Sequence, residues 1–215
     1  MATDILKAVA AARIVPVIVL EKATDAVPLC KALAAGGLQV AEITFRTAAA
    51  QEAIAIVARE FPDFILGAGT VTTSDEVAAA RTAGARFAVA PGCNPDIVKL
   101  AQAAGLPFWP GVCTPSDVER ALAIGCTTLK FFPAVAAGGI AMVKSLHAPY
   151  QHRGVRFVAT GGIETGNLRD WLKTPGVIAI GGTWMVAPKL IQAGNWVEIT
   201  RLTAEAVAVA KECAT

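Results

Sequence analysis

One local pattern repeats along nearly all of the 215-residue chain. An alanine-rich segment with helical periodicity ends at a glycine, and a short run of β-branched and aromatic residues follows it. A turn rich in Gly, Pro or Thr then leads into the next helical segment. Gly84, Gly105 and Gly125 mark three successive helix ends of this kind. The repeat therefore predicts a chain of alternating strands and helices.

Eight strands are predicted from this pattern, at about residues 14–20, 38–44, 63–68, 86–90, 107–110, 127–132, 155–160 and 177–181. The predicted helices follow them at about 24–36, 48–60, 74–83, 94–104, 115–124, 138–147, 164–173 and 196–211, and one more helix precedes the first strand near 3–12. Such an alternation is typical of an α/β fold of the (β/α)8 TIM barrel class, here with an extra N-terminal helix. No linker or low-complexity tract interrupts the series, so residues 1–215 are expected to form a single (β/α)8 barrel domain.

An open, doubly wound parallel sheet is the alternative architecture. That fold would place a glycine-rich dinucleotide-binding turn after its first strand. The segment EKATDA, which follows VPVIVL, contains no glycine. The barrel is therefore the preferred prediction.

Composition and charge exclude several classes of partner. The net charge is +2 and the Lys and Arg residues form no basic block, so neither nucleic acid nor a membrane surface is an expected partner. The longest charge-free stretch, residues 100–116, contains three prolines and cannot be a membrane-spanning helix. Five cysteines without a C-x-x-C pair argue for a reducing compartment, by default the cytoplasm. The low net charge fits a small, weakly charged ligand. The hydrophobic content of 54% predicts a substantial core and an oligomer.

Lys130 interrupts an otherwise apolar predicted strand, TTLKFFPA. In AEITFRT, on the second strand, the period of two places Glu42 on the same face as Val40 and Thr44. Active sites of such barrels lie at the C-terminal ends of the strands, so Lys130 and Glu42 are both expected to face the interior at that end. A lysine guarding a sheet edge, or a buried ion pair with Glu42, would be a purely structural explanation. A closed barrel has no edge and a buried ion pair is weak evidence for stability, so a catalytic role explains these residues better.

A buried lysine among apolar side chains indicates covalent chemistry. The free amine, rather than the ammonium, attacks a ketone to form a Schiff base. Apolar walls, here Phe131 and Phe132, and a nearby cation such as Arg46 favour the neutral amine, whereas an ionised Glu42 would oppose it. We therefore expect Lys130 to form a Schiff base with a carbonyl substrate.

Two glycine pairs end the last two predicted strands, in ATGG at residues 159–162 and IGGT at 180–183. Barrels of this kind often hold a phosphate at these strand ends, on backbone N–H groups and a helix N-terminus. One glycine pair is an ordinary turn, but two at matching ends of adjacent strands favour a binding site. The predicted substrate is a small phosphorylated ketone.

Six motifs occur in order across nearly the whole chain: AEITFRT, GAGTV, APG, LKFFPA, ATGGI and IGGTW. Together they resemble those of the class I 2-keto-3-deoxy-6-phosphogluconate (KDPG) aldolases, which also act as 4-hydroxy-2-oxoglutarate (KHG) aldolases. The resemblance implies a lyase that works through a Schiff base and releases pyruvate and glyceraldehyde 3-phosphate, in the Entner–Doudoroff part of carbohydrate metabolism. It also implies a homotrimer that needs no cofactor or metal.

The resemblance assigns roles to individual residues. Lys130 is implied to be the Schiff-base lysine, Glu42 the acid/base, and Arg46 and Thr70 the residues that hold the pyruvate carboxylate. The other positions that match binding residues of the family are Pro91, Phe132, Thr160, Gly161, Gly162, Gly181, Gly182 and Thr183. The last five of these residues match the end of the family's site that holds the substrate phosphate. The family commonly has serine in place of Thr183 and an aliphatic residue in place of Phe45, departures that affect only fine affinity.

Other functions remain as alternatives. A 2-keto-3-deoxy-6-phosphogalactonate aldolase would use the same chemistry on an epimeric substrate. A phosphosugar isomerase or epimerase would use Glu42 as a base but would give Lys130 no covalent role, and a non-catalytic phosphometabolite sensor would need neither residue. His147 and His152 are placed at the barrel end away from the chemistry and are expected to be structural or solvated, so no metal site is predicted.

Overall fold

The computed structural model of the chain describes residues 2–214. Its strands are β1 (Ile14–Ile18), β2 (Val40–Thr44), β3 (Ile65–Gly69), β4 (Phe87–Val89), β5 (Phe108–Trp109), β6 (Gly111–Val112), β7 (Thr128–Phe131), β8 (Arg156–Thr160) and β9 (Val177–Gly182). Its helices are α1 (Ala2–Ala12), α2 (Ala26–Ala35), α3 (Ala50–Glu60), α4 (Ser74–Thr82), α5 (Pro95–Ala103), α6 (Pro115–Ala123), α7 (Gly139–Tyr150), α8 (Thr165–Leu172), α9 (Pro188–Gln192) and α10 (Trp196–Glu212). Short 3₁₀ helices cover Ala23–Asp25, Gln151–Arg153 and Trp184–Val186.

The paired strands run parallel and belong to one sheet, in the order β5-β4-β3-β2-β1-β9-β8-β7-β6. Because β5 and β6 are consecutive in the chain, the two ends of this order meet and the sheet curves into a barrel. The helices between the strands cover its outside, and α1 precedes β1. The predicted (β/α)8 barrel with an extra N-terminal helix is confirmed.

The predicted fifth strand, near 107–110, is divided in the structure. Pro110 has no N–H to donate to a ladder, so regular pairing stops there. β5 pairs with β4 on one side of the proline, and β6 pairs with β7 on the other. The Pro110 carbonyl still accepts a hydrogen bond from the Lys130 N–H at 2.9 Å. Within residues 2–214 the barrel therefore has nine strands where eight were predicted, and Pro110 marks the seam at which it closes.

Local sequence explains where the helices begin and end. Thr73 and Thr114 form capping boxes at the starts of α4 and α6. Gly84, Gly105 and Gly125 follow α4, α5 and α6 with φ values of 90°, 70° and 79°, a conformation that glycine adopts without strain. The helix ends predicted at these glycines are confirmed.

None of the helices within residues 2–214 is long and apolar enough to cross a membrane.

Aromatic side chains fill the space around the strands. The ring of Phe87 in β4 stacks on that of Trp109 in β5, with centroids 4.4 Å apart. Phe131 in β7 packs edge to face against Phe157 in β8, at 6.2 Å between centroids, and against Trp171 in α8. The second cluster lies between the sheet and its helices, so Phe131 points away from the barrel interior.

Candidate active site

Lys130 and Glu42 meet inside the barrel from opposite walls. Lys130 is in β7 and Glu42 in β2, and three strands separate them along the shorter way round the sheet. Lys130 Nζ nevertheless lies 3.2 Å from Glu42 Oε1 and donates a hydrogen bond to it. Only 5% of Lys130 and 3% of Glu42 is exposed to solvent. The predicted interior position of both residues is confirmed, and the two form the buried ion pair that was considered as a structural explanation.

A cavity of about 350 Å³ opens above this pair at the C-terminal ends of the strands. It is lined by Val17, Arg46, Thr70, Pro91, Lys130, Phe132, Thr160, Gly161, Gly162, Ile163, Gly181, Gly182 and Thr183. Every predicted site residue except Glu42 is part of this lining, and Glu42 lies beneath it against Lys130. A volume of this size suits a small metabolite.

Two apolar lining residues, Val17 and Ile163, were not predicted. Val17 in β1 is paired with Glu42, which places both side chains on the inner face. That position follows from the strand period, but a valine in an apolar strand is indistinguishable in sequence from a core residue. Ile163 directly follows the glycine pair of ATGGI and carried no chemical signal.

The amine of Lys130 has one aromatic neighbour rather than two. The ring centroid of Phe132 lies 5.7 Å from Lys130 Nζ. Phe131 was also expected to wall the amine, but its ring packs against Phe157 and Trp171. The period of two explains the difference, because successive side chains of a strand point to opposite faces.

Arg46 and Thr70 bring polar groups to one side of the cavity. Arg46 follows β2 and is exposed, and no carboxylate within residues 2–214 forms a salt bridge with it. Thr70 follows β3 with a φ of 59°, which is unusual for a β-branched residue and turns the chain at the cavity rim. A free guanidinium beside a hydroxyl is suited to binding a carboxylate.

The two glycine pairs face the cavity from the ends of β8 and β9. Gly161 and Gly162 have φ values of 108° and 75°, and the Gly161 carbonyl accepts from the Val135 N–H at 3.0 Å. Neither of their own N–H groups donates to another residue between 2 and 214, which leaves both available to a ligand. Thr183 precedes the 3₁₀ helix Trp184–Val186. This end of the cavity can surround an anionic group with hydrogen-bond donors.

Thr160 carries an unpartnered hydroxyl in the cavity lining, at the end of β8 and next to Gly181. Its Oγ1 is buried and has no hydrogen-bond partner among the described residues. A buried hydroxyl without a partner is costly, so the group is positioned to bond with a molecule in the cavity.

No cluster of three or more His, Cys, Asp or Glu residues within 2–214 is arranged to hold a metal ion.

Known proteins share much of this sequence and the same fold. A protein from Haemophilus influenzae named 2-dehydro-3-deoxy-phosphogluconate aldolase is 48% identical over 199 residues, which cover 93% of each chain. The solved KDPG aldolase of Legionella pneumophila, with pyruvate captured as a covalent carbinolamine, is 40% identical with a TM-score of 0.89 and coverage of 93% of this chain and 96% of that one. The solved Zymomonas mobilis KDPG aldolase, with 3-phosphoglycerate, is 39% identical with a TM-score of 0.88 and coverage of 97% of both chains.

The sequence model of the KDPG and KHG aldolase family matches residues 5–202. That range contains every strand of the barrel and every residue that lines the cavity. The chain belongs to the KDPG and KHG aldolase family.

Proposed function

We propose that the chain is a class I aldolase that cleaves 2-keto-3-deoxy-6-phosphogluconate to pyruvate and glyceraldehyde 3-phosphate. By the same chemistry it would cleave 4-hydroxy-2-oxoglutarate to pyruvate and glyoxylate. The observation that carries the proposal is a buried lysine amine, 3.2 Å from a buried carboxylate, at the floor of an open cavity. The covalent carbinolamine of pyruvate in the Legionella pneumophila relative supports the same chemistry here.

Lys130 begins the reaction as a nucleophile. Its neutral amine attacks the C2 ketone to give a carbinolamine, and loss of water leaves an iminium ion. Glu42 is the nearest ionisable group and can take the proton that the amine must release. Phe132 on one side of the amine and the apolar Val17 in the cavity wall limit the access of water to it.

Cleavage uses the iminium as the electron sink. Glu42, directly or through a water molecule, removes the proton of the C4 hydroxyl, and the C3–C4 bond breaks. The bonding electrons move to the iminium nitrogen, glyceraldehyde 3-phosphate leaves, and an enamine of pyruvate remains on Lys130. Protonation of the enamine at C3 and hydrolysis of the imine release pyruvate. No step requires a Lewis acid, because the iminium supplies the electron withdrawal that a metal would otherwise provide.

The remaining lining residues hold the two ends of the substrate. Arg46 and Thr70 are proposed to bind the carboxylate, with Pro91 and Phe132 beside the pyruvate part. Thr160 is proposed to bond to the bound substrate, since its hydroxyl has no protein partner among the described residues. The phosphate is assigned to the opposite end, where Gly161, Gly162, Gly181, Gly182 and Thr183 lie.

The cellular setting is also proposed from supporting features. Five free cysteines favour a reducing compartment, namely the cytoplasm. A phosphate-binding end and a pyruvate-forming site favour the cleavage step of the Entner–Doudoroff route. A homotrimer of one-domain subunits is proposed from the resemblance to the KDPG aldolases, and the exposed apolar side chains of Val197 (83% exposed) and Leu100 (43% exposed) are surface that subunit contacts would cover. Sedimentation equilibrium should give about three times the chain mass of 22.1 kDa, and a monomer at micromolar concentration would refute the trimer.

Borohydride trapping with pyruvate tests the central claim. Reduction of the imine should attach one pyruvate to Lys130 of the wild-type protein, detected by peptide mass spectrometry. Lys130→Ala should abolish both this labelling and cleavage, whereas Lys144→Ala, which removes an exposed lysine of α7, should change neither. Undiminished labelling of Lys130→Ala would place the nucleophile elsewhere. A wild-type protein that is not labelled would favour the isomerase or sensor alternatives.

Substrate choice separates the two aldolase alternatives. The galactonate-derived substrate differs from KDPG in the configuration at C4, the carbon whose hydroxyl Glu42 must reach. We expect a higher kcat/KM for KDPG than for its C4 epimer, measured by coupled release of pyruvate. The reverse order would identify the chain as a 2-keto-3-deoxy-6-phosphogalactonate aldolase.

A further inference from the structure

Two glycines lie on the inner face of β3, next to the catalytic pair. Gly67 is paired with Glu42, and Gly69 is paired with Thr44. Paired residues of parallel strands point to the same side of a sheet, so both glycines share the inner face with Glu42. In a barrel this small the inner face is normally filled by side chains. The space that these glycines leave must therefore be occupied by their neighbours.

A different neighbouring side chain fills the space beside each glycine. A Cβ atom on Gly67 would overlap the ring of Phe87. A Cβ atom on Gly69 would overlap the carboxylate of Glu42, and its nearest atom would be Oε1. This same oxygen accepts the hydrogen bond from Lys130 Nζ at 3.2 Å. The missing side chain at position 69 therefore makes room for the oxygen that contacts the lysine.

The backbone around Gly69 is held on both sides. Its carbonyl accepts a hydrogen bond from the Phe45 N–H at 2.8 Å, just past β2. Two residues further on, the Val71 N–H donates to the Val89 carbonyl in β4 at 3.0 Å. An added methyl group at position 69 would therefore be accommodated by movement of the flexible Glu42 side chain rather than by retreat of the strand.

We propose that Gly69 is a positioning residue for the aldolase reaction, because only a residue without a side chain leaves the Glu42 carboxylate in contact with Lys130. The inference rests on the proposed function, since Gly69 acts through the acid/base role of Glu42. Gly69 is not itself part of the cavity lining, and it lies against the Glu42 carboxylate rather than against the substrate. Its contribution is to the location of the carboxylate, which proton transfer requires within hydrogen-bond reach.

Gly69→Ala and Gly67→Ala form a matched pair of variants. Both add one methyl group to the inner face of the same strand, but the first displaces Glu42 and the second displaces Phe87. Exchange of the pyruvate methyl protons with deuterium needs both the imine and the base, whereas borohydride trapping reports the imine. Displacement of a catalytic group by about 1 Å can cost about 10²-fold in rate, so Gly69→Ala should lower the ratio of exchange to trapping by about that factor. Gly67→Ala should keep the wild-type ratio, and an equal change in both variants would overturn the proposal.

A thermal stability cycle tests the same contact without any activity. Gly69→Ala should lower the Tm of the wild-type protein, because the methyl group disturbs a buried ion pair. In the background Glu42→Ala/Lys130→Met the carboxylate is gone, and the same substitution should leave the Tm unchanged or raise it. An equal loss of Tm or of soluble protein in both backgrounds would show that the methyl group does not meet Glu42, and the proposal would fail. Wild-type protein that does not trap pyruvate would instead refute the proposed function, while the stability cycle would still report on the contact.

Discussion

Removal of Lys130 alone should destabilise the fold much more than removal of both members of the buried pair. Lys130 is the one hydrogen-bond donor to the Glu42 carboxylate among residues 2–214, and Glu42 is 3% exposed. Lys130→Met keeps an unbranched apolar chain but leaves that carboxylate in the barrel without a partner. Breaking a buried ion pair in this way costs about 3–5 kcal/mol. For a chain of this length, each kcal/mol lowers the Tm by about 2–4 °C, so the expected loss is about 6–20 °C.

The double variant Glu42→Met/Lys130→Met should recover most of this loss. Replacement of a buried pair by apolar residues of similar volume is often neutral or stabilising by about 1–4 kcal/mol, because two charges no longer have to be desolvated. In the double variant, the methionine at position 42 would fill the space beside Gly69 that the Glu42 side chain fills in the wild-type protein. The double variant is therefore expected to be inactive and close to wild type in stability.

Urea denaturation followed by circular dichroism measures the free energies of unfolding of the wild-type protein, both single variants and the double variant. All samples should have the same protein concentration, because association of subunits would make the urea midpoint depend on that concentration. Lys144→Met, at an exposed position of α7, is the control and should lie within about 0.5 kcal/mol of wild type. A double variant as unstable as the worse single variant would refute the expected cost of an unpaired buried charge. A Lys130→Met variant as stable as the control would refute it equally.

Three further outcomes are expected. Glu42→Gln should lower cleavage and pyruvate proton exchange together, by about 10²–10⁴-fold, while borohydride trapping of pyruvate persists, and near-normal exchange would remove Glu42 from the mechanism. Exhaustive chelation should leave kcat unchanged, since the iminium is the electron sink, and a loss that zinc or magnesium restores would contradict this mechanism. Burial raises the pKa of the Cys30 thiol to about 12, above its value of about 8.5 in an unfolded chain, so this thiol's contribution to stability is complete below about pH 8.5 and is lost as pH rises further. The free energy of unfolding should therefore fall by up to about 1.4 kcal/mol per pH unit above about pH 8.5, with a smaller slope in Cys30→Ala, and equal slopes in titrations from pH 7 to 10 would contradict the assignment.

The barrel and most of its cavity could be predicted because their signals are local. Alternation of strands and helices implies the fold, and the fold alone implies that the strand ends converge on one site. Lys130 and Glu42 were predictable because ionisable residues stand out within apolar strands. Their direct contact is only one possibility at the level of sequence, since β2 and β7 are distant along the chain and the length and direction of each side chain decide whether the two meet.

Other features depend on packing that a single sequence does not display. The outward orientation of Phe131 follows from the strand period once Lys130 faces the interior, whereas the partners of its ring, Phe157 and Trp171, depend on packing. Helix α9 has only five residues, too few to show helical periodicity. The contact between Gly69 and Glu42 carries no sequence signal, because GAGT is also an ordinary turn sequence.

The seam at Pro110 gives the two walls of the site unequal resistance to local opening. β5 and β6 contribute two residues each to the barrel, whereas β2 and β3 are paired over five positions. The backbone N–H of Lys130 bonds to the Pro110 carbonyl at the seam, so transient separation there would free one edge of β7, whose other edge is paired with β8 from Thr128 to Phe131. Glu42 belongs to β2, which is paired on both sides, with β1 and with β3. Local opening of the barrel is therefore expected to begin on the side of the nucleophile rather than on the side of the base.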